Sequence, residues 1–249
     1  MASRLVRTLA VAGMLLLPAT MAWGHPTRPG HVFTWNGPTG VNGTVPWNIV
    51  VLLTLLTLLP ALLIALTPFA RLLVVFHFLR QALGTQTAPS NQTLIGLSLV
   101  LTYFLMQPVG ASIYDAAVVP FQNGQIDAWT AVEQGTPPLR HFMLRFAREK
   151  DLALFLDLAR APRPARPDDV PMRIVVPAYI LSELKTGFQI GAALFLPFLV
   201  IDLVVAAVTT SIGMLQLPPV VISTPLKIML FVMVDGWNLL VGSLMKSFT

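Results

Sequence analysis

Four long stretches of the chain are apolar at almost every position, and polar or Pro-containing segments separate them. They run from about 49 to 66, 94 to 113, 187 to 208 and 220 to 244. A helix needs about 20 apolar residues to cross a bilayer core, and each stretch is close to that length. Pro60, Pro108 and Pro197 interrupt or end these runs. The pattern predicts an all-α integral membrane protein of helical hairpins, with four long apolar helices and a small helical extracytoplasmic insert. Residues 47–113 read as the first apolar hairpin, 114–176 as the polar insert and 177–249 as the second hairpin.

The polar segments have patterns of their own. Arg4 and Arg7 precede an apolar run from Leu9 to Leu17, and Pro18 and Ala22-Trp23-Gly24 follow it. That layout is a secretory signal peptide over residues 1–24, with a mature start near His25. Residues 25–46 are rich in Pro, Gly, Thr and Asn and read as a flexible exported segment. Residues 71–91 carry Arg71 and Arg80 and no acid, so they read as a short cytoplasmic loop. The insert then falls outside. Apolar residues at 139, 142, 143, 146, 152, 155, 156 and 159 suit one amphipathic helix, with Arg145 and Glu149 able to pair. Residues 161–171, APRPARPDDVP, form a Pro-rich linker.

Composition supports the membrane reading. The 249 residues include 16 basic and 11 acidic side chains, a charged share of 11%, and 55% are hydrophobic. Soluble chains carry about 25% charged residues. Mean hydropathy is +0.73. The net charge of +5 is spread thinly, so it is no footprint for nucleic acid. There is no Cys, which excludes disulfides and thiolate metal sites. The four His show no metal-ligand spacing, and no Gly-rich phosphate loop is present. The expectation is a chain with no enzymatic activity, no metal and no cofactor, so any transport through it is passive or driven by partners.

Charges inside the apolar stretches are the informative residues. Glu183 and Lys185 precede the third stretch, Asp202 lies within it, and Lys227 and Asp235 lie in the fourth. One charge facing lipid near the bilayer centre costs about 2.5–3.5 kcal/mol on insertion scales. These side chains therefore face protein or water, at a subunit interface or a polar conduit. Pairing within the chain, for example Lys227 with Asp235, is the alternative. Gly187 and Gly191 form a GxxxG that lets helices approach closely. Gly213 and Pro218-Pro219 set a sharp turn between the last two stretches.

The stretches SELKTGFQIG (182–191), PFLVIDLVVA (197–206) and VDGWNLLVGSL (234–244) are long and specific. With PLRHFMLRFAREKDLALF (138–155), they resemble the FliP family of flagellar export-gate proteins, whose injectisome relatives are the SctR proteins. The resemblance implies a ring of about five copies with FliQ-like and FliR-like subunits, working with FlhA/FlhB-like export proteins. Such a gate passes unfolded flagellar subunits across the inner membrane at the basal body. The resemblance also implies that Glu183 and Lys227 pair between neighbouring copies. Met214, Leu215, Gln216 and Leu217 match the family's methionine-rich constriction, although only Met214 keeps the Met. An injectisome paralogue and an independent small-solute channel or transporter are the competing readings. A transporter should show paired repeats with matched broken helices, and the two hairpins differ in charge and loop length.

Overall fold

The structure, a computed structural model, describes residues 32–36, 42–162, 164, 166–213 and 218–248. The chain divides into two units, residues 1–62 and 63–249. In the first, β1 (Val32–Asn36) pairs antiparallel with β2 (Asn42–Pro46), with Thr34 opposite Thr44. The Pro and Gly content of this region suggested a flexible segment. Instead, β-forming Val, Phe, Thr and Trp residues flank a Gly/Pro-rich stretch, which is the composition of a hairpin. Helix α1 (Trp47–Leu66) follows and has no polar face. Its Thr54 and Thr57 hydroxyls donate to the carbonyls of Val50 and Thr54, both at 2.8 Å, so these polar groups are satisfied within the helix.

The second unit is built around one very long helix. Its elements are α2 (Phe69–Ala82), α3 (Asn91–Ile113), a π-helical turn (Tyr114–Val118) leading into α4 (Val119–Gln122), α5 (Ala128–Phe146), α6 (Glu149–Leu158), a 3-10 turn (Pro167–Asp169), α7 (Met172–Ser211), α8 (Pro219–Met233) and α9 (Gly236–Lys246). Helix starts have sequence causes. The Ser90 hydroxyl accepts the Thr93 N–H at 3.2 Å and starts α3, and the Asp127 carboxylate accepts the Thr130 N–H at 3.1 Å and starts α5. Gly84, at φ +74°, ends the turn after α2, with its N–H on the Gln81 carbonyl. Among the described residues, three helices are long and apolar enough to cross a membrane, or four if α8 and α9 count as one bent span.

Helix α2 is amphipathic, with Leu72, Val75, Phe76 and Leu79 on one buried stripe. These pack with Leu94 and Leu101 of α3, Phe198 of α7, Phe231 of α8, and Leu240 and Leu244 of α9. A second cluster joins the insert to the start of α7, through Met143, Leu156, Val170, Ile174, Val175 and Tyr179. The two helices α2 and α7 run side by side at close range. A Cβ added at Gly191 would lie 2.5 Å from the Phe78 ring, and one at Gly187 would lie 3.3 Å from Val74 Cβ. The GxxxG pair therefore serves this contact within the chain.

The structure changes four sequence readings in the second unit. Residues 71–91 are not a simple cytoplasmic loop, because α2 is buried and its Arg71 lies against Phe146 of the insert. The amphipathic run 139–160 is two helices. Ala147 and Arg148 take extended backbone, and this removes Arg145 and Glu149 from one helical register. The third apolar stretch begins at Met172, so α7 has 40 residues and is about 60 Å long. The fourth is bent by 66°. Asp235, in the left-handed region at φ 51°, makes that bend.

Crowding at Gly191 gives a direct test of the α2–α7 contact. Gly191→Ala should destabilise the chain by about 1–3 kcal/mol, because the new methyl displaces the Phe78 ring. Phe78→Leu in the same chain should restore part of the loss. Thermal unfolding in detergent checks both, and an unchanged midpoint for Gly191→Ala would show that the contact opens freely.

Candidate functional site

Three ion pairs described in the second unit all involve α7. Arg71 of α2 and Glu183 of α7 form an ion pair with both side chains almost fully buried, at 4% and 1% exposure. The second Arg71 amino group donates to Ser247 Oγ at 3.3 Å. The Phe248 ring centroid stands 3.9 Å from the guanidinium carbon, and that of Phe146 stands 5.7 Å away. Three buried polar atoms here keep no hydrogen-bond partner: Glu183 Oε2, Arg71 Nε and the Tyr179 hydroxyl.

One turn along, α6 docks on α7 through a denser polar clamp. Lys185 of α7 pairs with Asp151 of α6. Ser182 Oγ donates to Asp151 Oδ2 at 2.8 Å and accepts the Arg148 backbone N–H at 2.9 Å. The Arg148 guanidinium donates to Thr186 Oγ1 at 2.9 Å and to Gln189 Oε1 at 2.6 Å. Burial works against the charge on Asp151. The hydrogen bonds from Lys185 and Ser182, with the positive charges of Lys185 and Arg148, outweigh it and hold the carboxyl below the usual carboxylate range.

The third pair lies nearer the far end of α7. Lys227 of α8 is buried, and its Nζ donates to Asp202 Oδ2 of α7 at 2.5 Å and to the Ala82 carbonyl of α2 at 3.0 Å. Ala82 is the last residue of α2, so the ammonium also sits at the negative end of that helix. One residue past Leu83, the Gly84 turn fits against Thr224, where a Cβ would lie 2.6 Å from the hydroxyl. Asp202 Oδ1 keeps no partner.

The residues singled out from sequence separate into three groups. Glu183, Lys185, Asp202 and Lys227 are paired within the chain, and Gly187 and Gly191 pack on α2. Glu183 meets Arg71 and Lys227 meets Asp202, so the two do not meet each other in one chain. Asp235 is exposed at the helix bend and its carboxylate accepts a hydrogen bond from Asn238 Nδ2 at 3.1 Å, whereas Lys227 donates to Asp202, so Asp235 is not the partner of Lys227. Met214, Leu215, Gln216 and Leu217 lie outside the described residues. Sequence reasoning missed Arg71, Arg148, Asp151, Ser182 and Phe248. Arg71 reads from sequence as a loop charge, and its partner Glu183 lies 112 residues away.

Helices with apolar outer faces and charges turned inward onto one another define a polytopic helical membrane protein. The FliP family pattern matches residues 52–244. The chain is 51% identical to a flagellar biosynthetic protein FliP from Pectobacterium carotovorum over 94% of its length and 90% of the relative. It is 43% identical to the FliP protein of Cereibacter sphaeroides over 99% of its length and 83% of that relative. The Bacillus subtilis FliP protein is 45% identical over 88% of this chain and 98% of its own length. The chain belongs to the FliP family.

Asp151 gives the clamp a pH signature. Its folded pKa is depressed, so its contribution is present above the unfolded value of about 3.9 and is lost as pH falls through the folded value. Asp151→Asn should cost about 1–3 kcal/mol at pH 7. The gap between variant and parent should close as the pH drops below the usual carboxylate range. Thermal unfolding as a function of pH checks this, and a gap that stays constant into strong acid would remove Asp151 from the clamp.

Proposed function

We propose that this chain is a core pore-forming subunit of the flagellar type III protein export gate. It forms a ring of about five copies with FliQ-like and FliR-like subunits. FlhA/FlhB-like export proteins supply the drive, and unfolded flagellar subunits pass through the centre of the ring across the inner membrane at the basal body. The chain is a conduit and not an enzyme, and it loses its N-terminal signal peptide on export. Family membership carries this reading, together with relatives named for flagellar biosynthesis that the chain covers over 83% to 98% of their length. Those names also favour the flagellar branch over the injectisome one.

The chemistry of the site is compatible with assembly. Leu196, Leu203, Val232 and Met233 are 62% to 80% exposed and offer apolar faces to lipid or neighbouring copies. Glu183 keeps Oε2 unused, and Lys227 keeps one of its three N–H bonds. A Glu183–Lys227 contact between copies would therefore add a bond to the intrachain pairs. Both side chains are buried, so the packing of α2 or α9 must part to admit the neighbour. Met214, Leu215 and Leu217 would then bring apolar closure to the axis, with polar Gln216 turned away from it.

Deleting the gene should abolish secretion of hook and filament subunits, and the chain should co-purify with FliQ-like and FliR-like proteins. Export that continues in the deletion strain would overturn the gate reading. Glu183→Ala or Lys227→Ala removes one partner of a buried pair, at about 3–5 kcal/mol, and should reduce ring assembly. In the double variant Glu183→Ala with Lys227→Ala the loss of assembly should fall short of the sum of the two single losses if the two meet between copies. Strictly additive losses would leave them as intrachain residues only.

A further inference from the structure

Ser247 and Phe248 follow α9 and close over the Arg71 guanidinium. Arg71 is 3% exposed and Phe248 is 6% exposed, so the cation and the ring meet out of water. The guanidinium carbon lies 3.9 Å from the Phe248 centroid. That is well inside the distance of about 6 Å at which a cation is held over an aromatic face, and the attraction is strongest where both are desolvated. Phe146 meets Phe248 edge-on, with centroids 5.2 Å apart and planes at 64°, and its own centroid stands 5.7 Å from the guanidinium carbon. The edge of the guanidinium is fixed as well. One amino group meets Glu183 and the other meets Ser247 Oγ, which in turn donates to the Leu244 carbonyl at 2.7 Å. An arginine side chain has several rotatable bonds, and only these contacts hold its plane against the Glu183 carboxylate.

We infer that Phe248 is a positioning residue: its ring face holds Arg71 in the plane that pairs with Glu183, and the pair in turn latches the end of α9 to the α2–α7 contact. The latch has a hinge opposite it. Helix α9 leaves α8 at 66° through left-handed Asp235, and its other end is tied down at Phe248. Releasing Phe248 leaves α9 held by its core residues Leu240 and Leu244, so its end loosens about that bend while α2 and α7 stay packed. The inference stands apart from the export-gate reading, because the isolated full chain tests it.

The competing view is that Phe248 only fills space beside Leu244. Leucine fills that space without a π face, whereas tyrosine and tryptophan keep the face. Phe248→Leu should therefore lower the unfolding midpoint of the full chain in detergent by roughly 2–6 °C, while Phe248→Tyr or Phe248→Trp stays close to the parent. Hydrogen exchange of the 236–246 amides should quicken severalfold in Phe248→Leu and not in Phe248→Tyr. The decisive background is Arg71→Met with Glu183→Leu, an apolar replacement of the whole pair that a buried site tolerates. There, Phe248→Leu should lower the midpoint by clearly less than in the parent, leaving only the packing loss. An equal cost for Phe248→Leu in both backgrounds, or equal effects of Leu and Tyr in the parent, would overturn the inference. If the apolar background fails to fold, the comparison of Leu with Tyr decides alone.

Discussion

The register of α2 on α7 follows from one constraint, that Arg71 and Glu183 are both buried and neither can stay charged there alone. An unpaired charge in that position costs several kcal/mol, so the two helices must meet where these side chains meet. Once they do, the rest of the contact is determined by helical spacing. Val74 falls opposite Gly187 and Phe78 opposite Gly191, each about one turn further along both helices. The glycines admit the larger side chains, so the backbones stay close. The C-terminus of α2 then arrives within reach of Lys227, and the third ion pair closes the far end. An error of one turn at Arg71 would set Phe78 against a side chain and leave Lys227 without its carbonyl.

The length of α7 places this arrangement relative to a bilayer. Forty residues make about 60 Å, twice the hydrocarbon thickness of about 30 Å, and tilts of up to about 40° do not absorb the difference. Part of α7 therefore stands outside the hydrocarbon layer. Its N-terminal half carries Ser182, Glu183, Lys185, Thr186 and Gln189, all engaged by Arg71 or by the insert. Its C-terminal half exposes Leu196, Leu199, Val200, Leu203 and Val204. Oil-facing surface and polar clamp thus occupy different lengths of one helix. Lys185 can remain half exposed without meeting lipid.

Much of this was legible in the sequence. The apolar runs gave the long helices, the GxxxG gave a close helix contact, and intramembrane charges pointed to α7 and α8. What failed did so for identifiable reasons. Counting Arg71 as a loop charge assumes that it faces water, but its partner lies 112 residues away and no local pattern announces it. The run 139–160 keeps helical periodicity through its break. The break comes from Ser182, whose hydroxyl takes the Arg148 amide, and that is a tertiary competitor to the helix. The bend at Asp235 had a local signal, since Asp-Gly favours turns, but the surrounding apolar run masked it. Phe248 looked like any terminal aromatic residue until the cation beneath it was known.

Lys227 shows how few acids such a chain needs. Its ammonium is buried, yet it has one carboxylate partner and that carboxylate spends a single oxygen on it. The balance comes from the end of α2. The last carbonyls of a helix lack intrahelical donors and carry about half a negative charge between them. By seating Lys227 on the Ala82 carbonyl, the chain satisfies an orphan acceptor and neutralises part of a cation with backbone alone. The same economy recurs where the Arg148 guanidinium donates to the neutral Thr186 hydroxyl and Gln189 amide oxygen. Backbone and side-chain oxygens there share the work of a counter-ion. A chain with only 11% charged residues can therefore hold three helix-joining ion pairs and still present an apolar exterior.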